Sequence, residues 1–290
     1  KLDVSGVLRF SSNIGASKII EKISNKKYYS YLKRFGFGSK TNIKVPGEAS
    51  GILASPDKWS QIQAANISFG QGMSVTSLQL AKALSIIANG GISIEPYLIK
   101  SIVDSKGRTL FQHENKQGRR VLSYATSKKM RLLLRSVVED GGGYKAQIEG
   151  VGVSGKTGTG QFATKGGYSK ERFIVSFIGF APSESPQLVS VITIDYPKGA
   201  NAYGGRWAAP VFKNTIEKIL LDEQRISTVA KAKDVPSFLG KAKRDAIKIA
   251  RDNNIKVKII GNGFVKKQTP EPGNEYNFQE EISLFLEPGI

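Results

Sequence analysis

A chain of 290 residues, 40% apolar and 23% charged, has the composition of a folded protein and room for one large domain or a large and a small one. Zero cysteines exclude a disulfide framework, thiol catalysis and cysteine-held zinc, and the single histidine, His113, excludes a histidine-rich metal site or a two-histidine relay, so no metal and no cofactor is expected. Lys plus Arg outnumber Asp plus Glu by 43 to 24, and this balance implies attraction to some polyanion.

The excess sits in the front of the chain: the first 230 residues hold 32 basic against 16 acidic side chains, the remainder 11 against 8. It is spread out rather than gathered in runs, which describes a solvated basic surface. No basic helix or aromatic-interleaved motif accompanies it, so nucleic acid is not an expected partner. Acidic phospholipid or an anionic wall polymer accounts for the charge as well. The longest apolar run, Phe173 to Ala181, is about half the roughly 20 residues a membrane-spanning helix needs. The N-terminal Lys1-Leu2-Asp3-Val4 has neither an initiator Met nor a signal-peptide pattern and reads as a cut or processed end.

In chain order, a helix is predicted from Thr76, where Thr76 and Gln79 form a capping-box pattern and Leu80, Ala83, Leu84 and Ile87 share a face; Asn89-Gly90-Gly91 stops it. A second helix is predicted from about Thr126 to Glu139 and ends at Gly141-Gly142-Gly143. Two short apolar strands, Phe173 to Phe180 and Leu188 to Ile194, flank a Pro-Ser-Glu-Ser-Pro turn and predict an antiparallel hairpin. A helix from Pro210 to Leu221 carries an apolar stripe of Ile216, Ile219 and Leu220. The polar stretch that follows predicts a boundary, with a front domain over 1–225, a linker over 226–234 and a small α+β module over 235–290. That module reads as a helix from Phe238 to Asp252, then strands over 255–260, 264–268 and 282–286.

Gly150 to Thr157 satisfies the phosphate-loop pattern G-x-x-x-x-G-K-[ST], and Val191 to Asp195 imitates a strand ending in a magnesium-binding acid. That chemistry requires a helix to start at Lys156-Thr157. The residues that follow, Gly158-Thr159-Gly160-Gln161-Phe162-Ala163-Thr164, disfavour one. The alternative places Lys156-Thr157-Gly158-Thr159 on an extended strand, followed by a loop and a long antiparallel partner from Arg172. Lys156 and Gly158 then share one face, Thr157 and Thr159 the other. Such a strand offers a cation, hydroxyls and an open edge to an extended peptide.

Lys156-Thr157-Gly158-Thr159 resembles the K-T-G motif of the penicillin-binding-protein transpeptidases, and Ser11-Ser12-Asn13 resembles their S-x-N motif. Val7 to Gly15, Phe69 to Ala81 and Tyr203 to Phe212 resemble the class B, septal or elongation-type members, and the tail from Val235-Pro236 to Gln268-Thr269-Pro270-Glu271-Pro272-Gly273 resembles a PASTA module. The resemblance implies an α+β transpeptidase fold, with an antiparallel sheet flanked by helices, followed by a PASTA-like domain. It implies Ser11, Asn13 and Lys156 as catalytic residues, with Thr157, Gly158 and Thr159 binding substrate. Ser11 would relay a proton, Asn13 would hold the substrate amide and the catalytic lysine, and Lys156 would stabilise anionic oxygens. Thr157 and Thr159 would bind the terminal carboxylate.

The implied reaction is acyl transfer through a serine ester. Its implied partners are peptidoglycan stem peptides, β-lactams and membrane proteins of division or elongation including a glycosyltransferase, at the extracytoplasmic face of a bacterial membrane. The nucleophilic S-x-x-K is expected roughly fifty residues before the S-x-N motif, outside this chain. Ser24-Asn25-Lys26-Lys27 and Ser55-Pro56-Asp57-Lys58 match its letters on the wrong side of Ser11. The chain is therefore expected to be inactive alone, as part of an enzyme; the alternative is a non-catalytic wall-binding or divisome scaffold of the same fold.

Overall fold

The computed structural model describes all residues except 61, 115–117, 165–166, 199–202, 223–234, 253–254, 275–280 and 289–290. Contacts divide the chain into two compact units, Lys1–Lys218 and Ile219–Ile290. The linker expected over 226–234 lies outside the described residues.

The first unit opens with three short helices that the sequence patterns did not announce, α1 (Val4–Arg9), α2 (Asn13–Ile20) and α3 (Asn25–Arg34). Each starts on a polar cap: Asp3 accepts from Gly6 N at 2.7 Å, Ser12 from Gly15 N at 3.1 Å and Ser24 from Lys27 N at 3.4 Å. After α4 (Gln63–Ser68) comes α5 (Ser77–Ala88), where both halves of the Thr76/Gln79 capping box are present and Gly90 and Gly91 leave the helix at φ 82° and 91°. Gln79 does more than cap. Its Nε2 donates to the carbonyls of Ser39 and Ser50, each at 2.8 Å, and so fastens the long segment after α3 onto α5.

A small antiparallel pair, β1 (Ser101–Val103) and β2 (Thr109–Gln112), precedes α6 (Tyr124–Glu139). The latter begins two residues ahead of Thr126 because Ser123 takes the cap, accepting from Thr126 N at 3.1 Å.

The main sheet is β3 (Ser154–Thr164), β4 (Gly167–Ala181) and β5 (Leu188–Asp195), antiparallel in the order β3-β4-β5, so β3 forms one edge. The hairpin predicted over 173–194 is present. The loop expected after Thr159 is far shorter than the sequence suggested: β3 continues to Thr164 because β4 pairs with it back to Gly167, and pairing overrides the poor strand propensity of its glycines. One sheet face packs Ile178 and Phe180 against Leu84 and Ala88 of α5 and Leu134 of α6. On the other, the Phe177 ring meets Phe212 of α7 (Gly204–Asp222) with centroids 4.8 Å apart. That helix begins ahead of Pro210, which lies inside it; the burial of Ala208, Ala209 and Phe212 outweighs the break a proline signals.

The second unit comprises α8 (Lys243–Asp252), β6 (Val257–Gly261), β7 (Phe264–Thr269) and β8 (Ile282–Glu287), with β8 parallel to β6 and antiparallel to β7 in the order β6-β8-β7. The helix starts at Lys243 rather than Phe238. Phe238 N instead donates to the buried Gln268 Oε1 at 2.7 Å, and Gly240 turns the chain at φ 73°. Phe238, Ala246, Ala250, Val265, Ile282 and Leu284 form its core.

Candidate active site

The turn between α1 and α2 sets the position of Ser11. Ser12 N donates to Val7 O at 2.9 Å and Ser11 N to Leu8 O at 3.2 Å, the paired bonds of a Schellman C-cap. Such a turn places its first residue beyond the cap in the left-handed region, and Ser11 sits there at φ 51°. A glycine ordinarily takes that place; a side chain costs about 1 kcal/mol. Ser12 then caps α2, and Asn13 is its first residue. Three consecutive residues thus end one helix, cap the next and leave the Ser11 side chain exposed.

Opposite them, Lys156 stands on the edge strand β3. Its Nζ donates to Ser11 Oγ and, at 3.2 Å, to its neighbour's carbonyl, Thr157 O. Burial pushes the Lys156 ammonium below the ordinary lysine pKa, because a desolvated cation is disfavoured. The phosphate-loop alternative fails here: Lys156 and Thr157 lie within a strand and no helix begins at them.

The strand alternation is as the sequence predicts. In register, Lys156 pairs with Ile178 and Gly158 with Ser176, whereas Thr157 pairs with Phe177 and Thr159 with Val175. A Cβ on Gly158 would lie 2.4 Å from Ser176 Oγ, so a side chain there would require the Ser176 hydroxyl to turn away. The first residues of α7 abut the same strand. Gly204 N donates to Thr159 Oγ1 at 3.2 Å, which leaves the Thr159 hydroxyl proton free to donate elsewhere.

Of the six residues singled out in the sequence, the structure therefore joins Ser11 to Lys156 and aligns Thr157, Gly158 and Thr159 along the same edge. The Asn13 side chain has no hydrogen-bond partner among the described residues. Sequence reasoning missed Gly204 as a contact of Thr159, although Gly204 lies in the family-like stretch Tyr203 to Phe212. The two downstream S-x-x-K serines have local tasks: Ser24 caps α3, and Ser55 Oγ donates to Asp57 Oδ2 at 2.8 Å.

Helices on both faces of an antiparallel sheet, with a turn serine bound by an edge-strand lysine, are the arrangement expected of the serine acyl-enzymes that carry the S-x-N and K-T-G motifs. The penicillin-binding-protein transpeptidase domain matches residues 1–217 and the PASTA domain residues 233–288. The chain belongs to the penicillin-binding-protein transpeptidase family, whose activity is the D,D-transpeptidation of cell-wall synthesis.

Among its relatives, stage V sporulation protein D of Bacillus subtilis is 34% identical over 292 residues, covering 97% of this chain and 45% of the relative. The probable peptidoglycan D,D-transpeptidase PenA of Neisseria flavescens is 36% identical over 216 residues, 74% of this chain and 51% of its own. Of solved structures, penicillin-binding protein 3 of Mycobacterium tuberculosis with ampicillin superposes at TM-score 0.72 and 30% identity, over 79% of this chain and 52% of that one. The apo transpeptidase domain of Burkholderia pseudomallei penicillin-binding protein 3 gives 0.69 and 31%, over 77% and 65%. The chain thus spans about half the length of these curated relatives.

Proposed function

We propose that this chain supplies the S-x-N and K-T-G half of a peptidoglycan-cross-linking site, completed by an S-x-x-K nucleophile from sequence outside these 290 residues. The bond from Lys156 Nζ to Ser11 Oγ carries the reading, since it ties a proton donor on the strand to a hydroxyl on the helical side. A stem peptide lies extended along the open edge of β3, its terminal carboxylate taken by the Thr157 and Thr159 hydroxyls and its amide held by Asn13. The nucleophilic serine adds to the penultimate D-alanine carbonyl. The proton it loses returns through Ser11 to the departing D-alanine nitrogen as the C–N bond breaks.

An amine from a neighbouring strand then attacks the ester carbon, gives up its proton along the same route and expels the serine. Burial lowers the basicity of Lys156 and so makes its ammonium a readier proton donor toward Ser11. β-Lactams, which imitate the carboxylate and the amide, acylate the same serine. The domain works at the extracytoplasmic face of the membrane, beside division or elongation proteins that include a glycosyltransferase. The PASTA domain contributes wall contact.

The test is labelling by a fluorescent penicillin of this chain and of a version extended upstream through S-x-x-K. Only the extended version is expected to be acylated, and Lys156→Ala within it to slow acylation by about 100-fold or more. Labelling of the isolated chain at any of its own serines refutes the missing nucleophile. A folded, extended chain that stays unlabelled favours the scaffold reading.

A further inference from the structure

Among the described residues, two hydrogen bonds join the main sheet to the segment of short helices over residues 4–75. One is Lys156 to Ser11. The other lies further along the ribbon, where the Tyr168 hydroxyl on β4 accepts from Gly72 N at 3.2 Å. Gly72 follows α4, and α4 packs on α2, the helix that Asn13 begins. Its loop is braced: Gln63 Nε2 donates to Gly72 O at 3.0 Å, Gln71 N to Asn66 O at 2.9 Å, and Ser74 bridges to Ile52.

The strand end is braced as well. β5 stops opposite Ile174, so Gln161–Thr164 and Gly167–Phe173 run on as a two-stranded ribbon, a form that is marginal alone. At its root the Arg172 guanidinium lies 4.5 Å from the Phe162 ring and 5.5 Å from that of Tyr196. At its tip it is tied by Tyr168.

The two ties bound a stretch of edge. Ala163 is the register partner of Tyr168, and from Lys156 to Ala163 the strand rises about 23 Å at about 3.3 Å per residue. Between them Thr159 and Gln161 are exposed and Gly158 and Gly160 half-buried. We infer that the Tyr168–Gly72 clasp closes the far end of this edge and limits the extended peptide it accepts to about six residues. Tyr168 is thus a positioning residue that selects peptide length. The inference rests on the reading that peptide lies along β3.

The 290-residue chain is titrated by amide chemical shift with N-acetyl-Lys-D-Ala-D-Ala and with the same peptide extended at its amino end by six alanines. The wild type is expected to bind the longer peptide at least about fivefold more weakly, the equivalent of one hydrogen bond. Tyr168→Ala and Tyr168→Phe should bring the two affinities within about twofold by improving the longer peptide. Equal loss for both peptides marks a merely structural tyrosine and overturns the inference, as does an unchanged ratio. Amide exchange at Gly72 should speed at least about fivefold in Tyr168→Phe, whose ring is intact; an unchanged rate refutes the clasp. If the wild type binds neither peptide, the peptide-edge reading fails and the length limit falls with it, while Gly72 exchange still decides whether the clasp exists.

Discussion

Replacing Gly204 by alanine sets two physical effects of opposite sign against each other. Gly204 is the first residue of α7, and helix propensity alone favours alanine by up to about 1 kcal/mol. The surroundings oppose it. An added Cβ would lie 2.3 Å from Ser176 O and 2.5 Å from Gly158 O, both backbone atoms of the sheet. Bringing the closer contact out to about 3 Å means moving α7 off the sheet by about 0.7 Å, and overpacking of this kind costs about 1–3 kcal/mol. The same movement lengthens the bond from Gly204 N to Thr159 Oγ1.

The expected net effect is a loss of about 1–2 kcal/mol, together with perturbed amide shifts at Gly158 and Thr159. Denaturant unfolding followed by tryptophan fluorescence measures it, because both tryptophans, Trp59 and Trp207, lie in the first unit. A variant as stable as the wild type, or more so, would show that α7 tolerates the side chain and that the tight contact on the K-T-G strand is not what keeps glycine there.

Gln79→Ala leaves the carbonyls of Ser39 and Ser50 and the amide of Thr76 without their partner, at about 1 kcal/mol each, so a loss of about 3 kcal/mol is expected in the same unfolding assay; less than 1 would refute the tether. Lys156→Met tests the burial of the ammonium. The folded pKa lies below the ordinary 10.5, so between those two values the unfolded chain binds more protons and wild-type stability rises with pH. The wild type should gain on the variant only across that window, by at most about 1.4 kcal/mol per pH unit, and a pH-independent difference would refute it.

Elements whose signals are local were legible in the sequence. The capping box at Thr76, the glycines after Glu139 and the apolar β4–β5 hairpin needed no knowledge of neighbours. The first three helices were not, because six to ten residues hold too few turns for a period to emerge and only their caps are visible. The start of α7 was misplaced for a different reason: Pro210 reads as a first-turn residue, yet buried Ala208 and Ala209 precede it in the same helix. At the site, Ser11 and Lys156 were legible through their motifs. Tyr168, Gly72 and Gly204 were not, since each matters only through a residue distant in the chain.

The left-handed turn at Ser11 bears on whether the chain is a working part of an enzyme or a scaffold. A protein that only had to fold would gain from glycine at this position, and nothing in the Schellman turn itself asks for a hydroxyl. Serine there carries a standing energetic penalty whose offset is the bond to Lys156. On the proposed reading the hydroxyl, not the turn, is what serine supplies at this position, and Ser11→Gly is expected to stabilise the fold while slowing acylation of the upstream-extended chain.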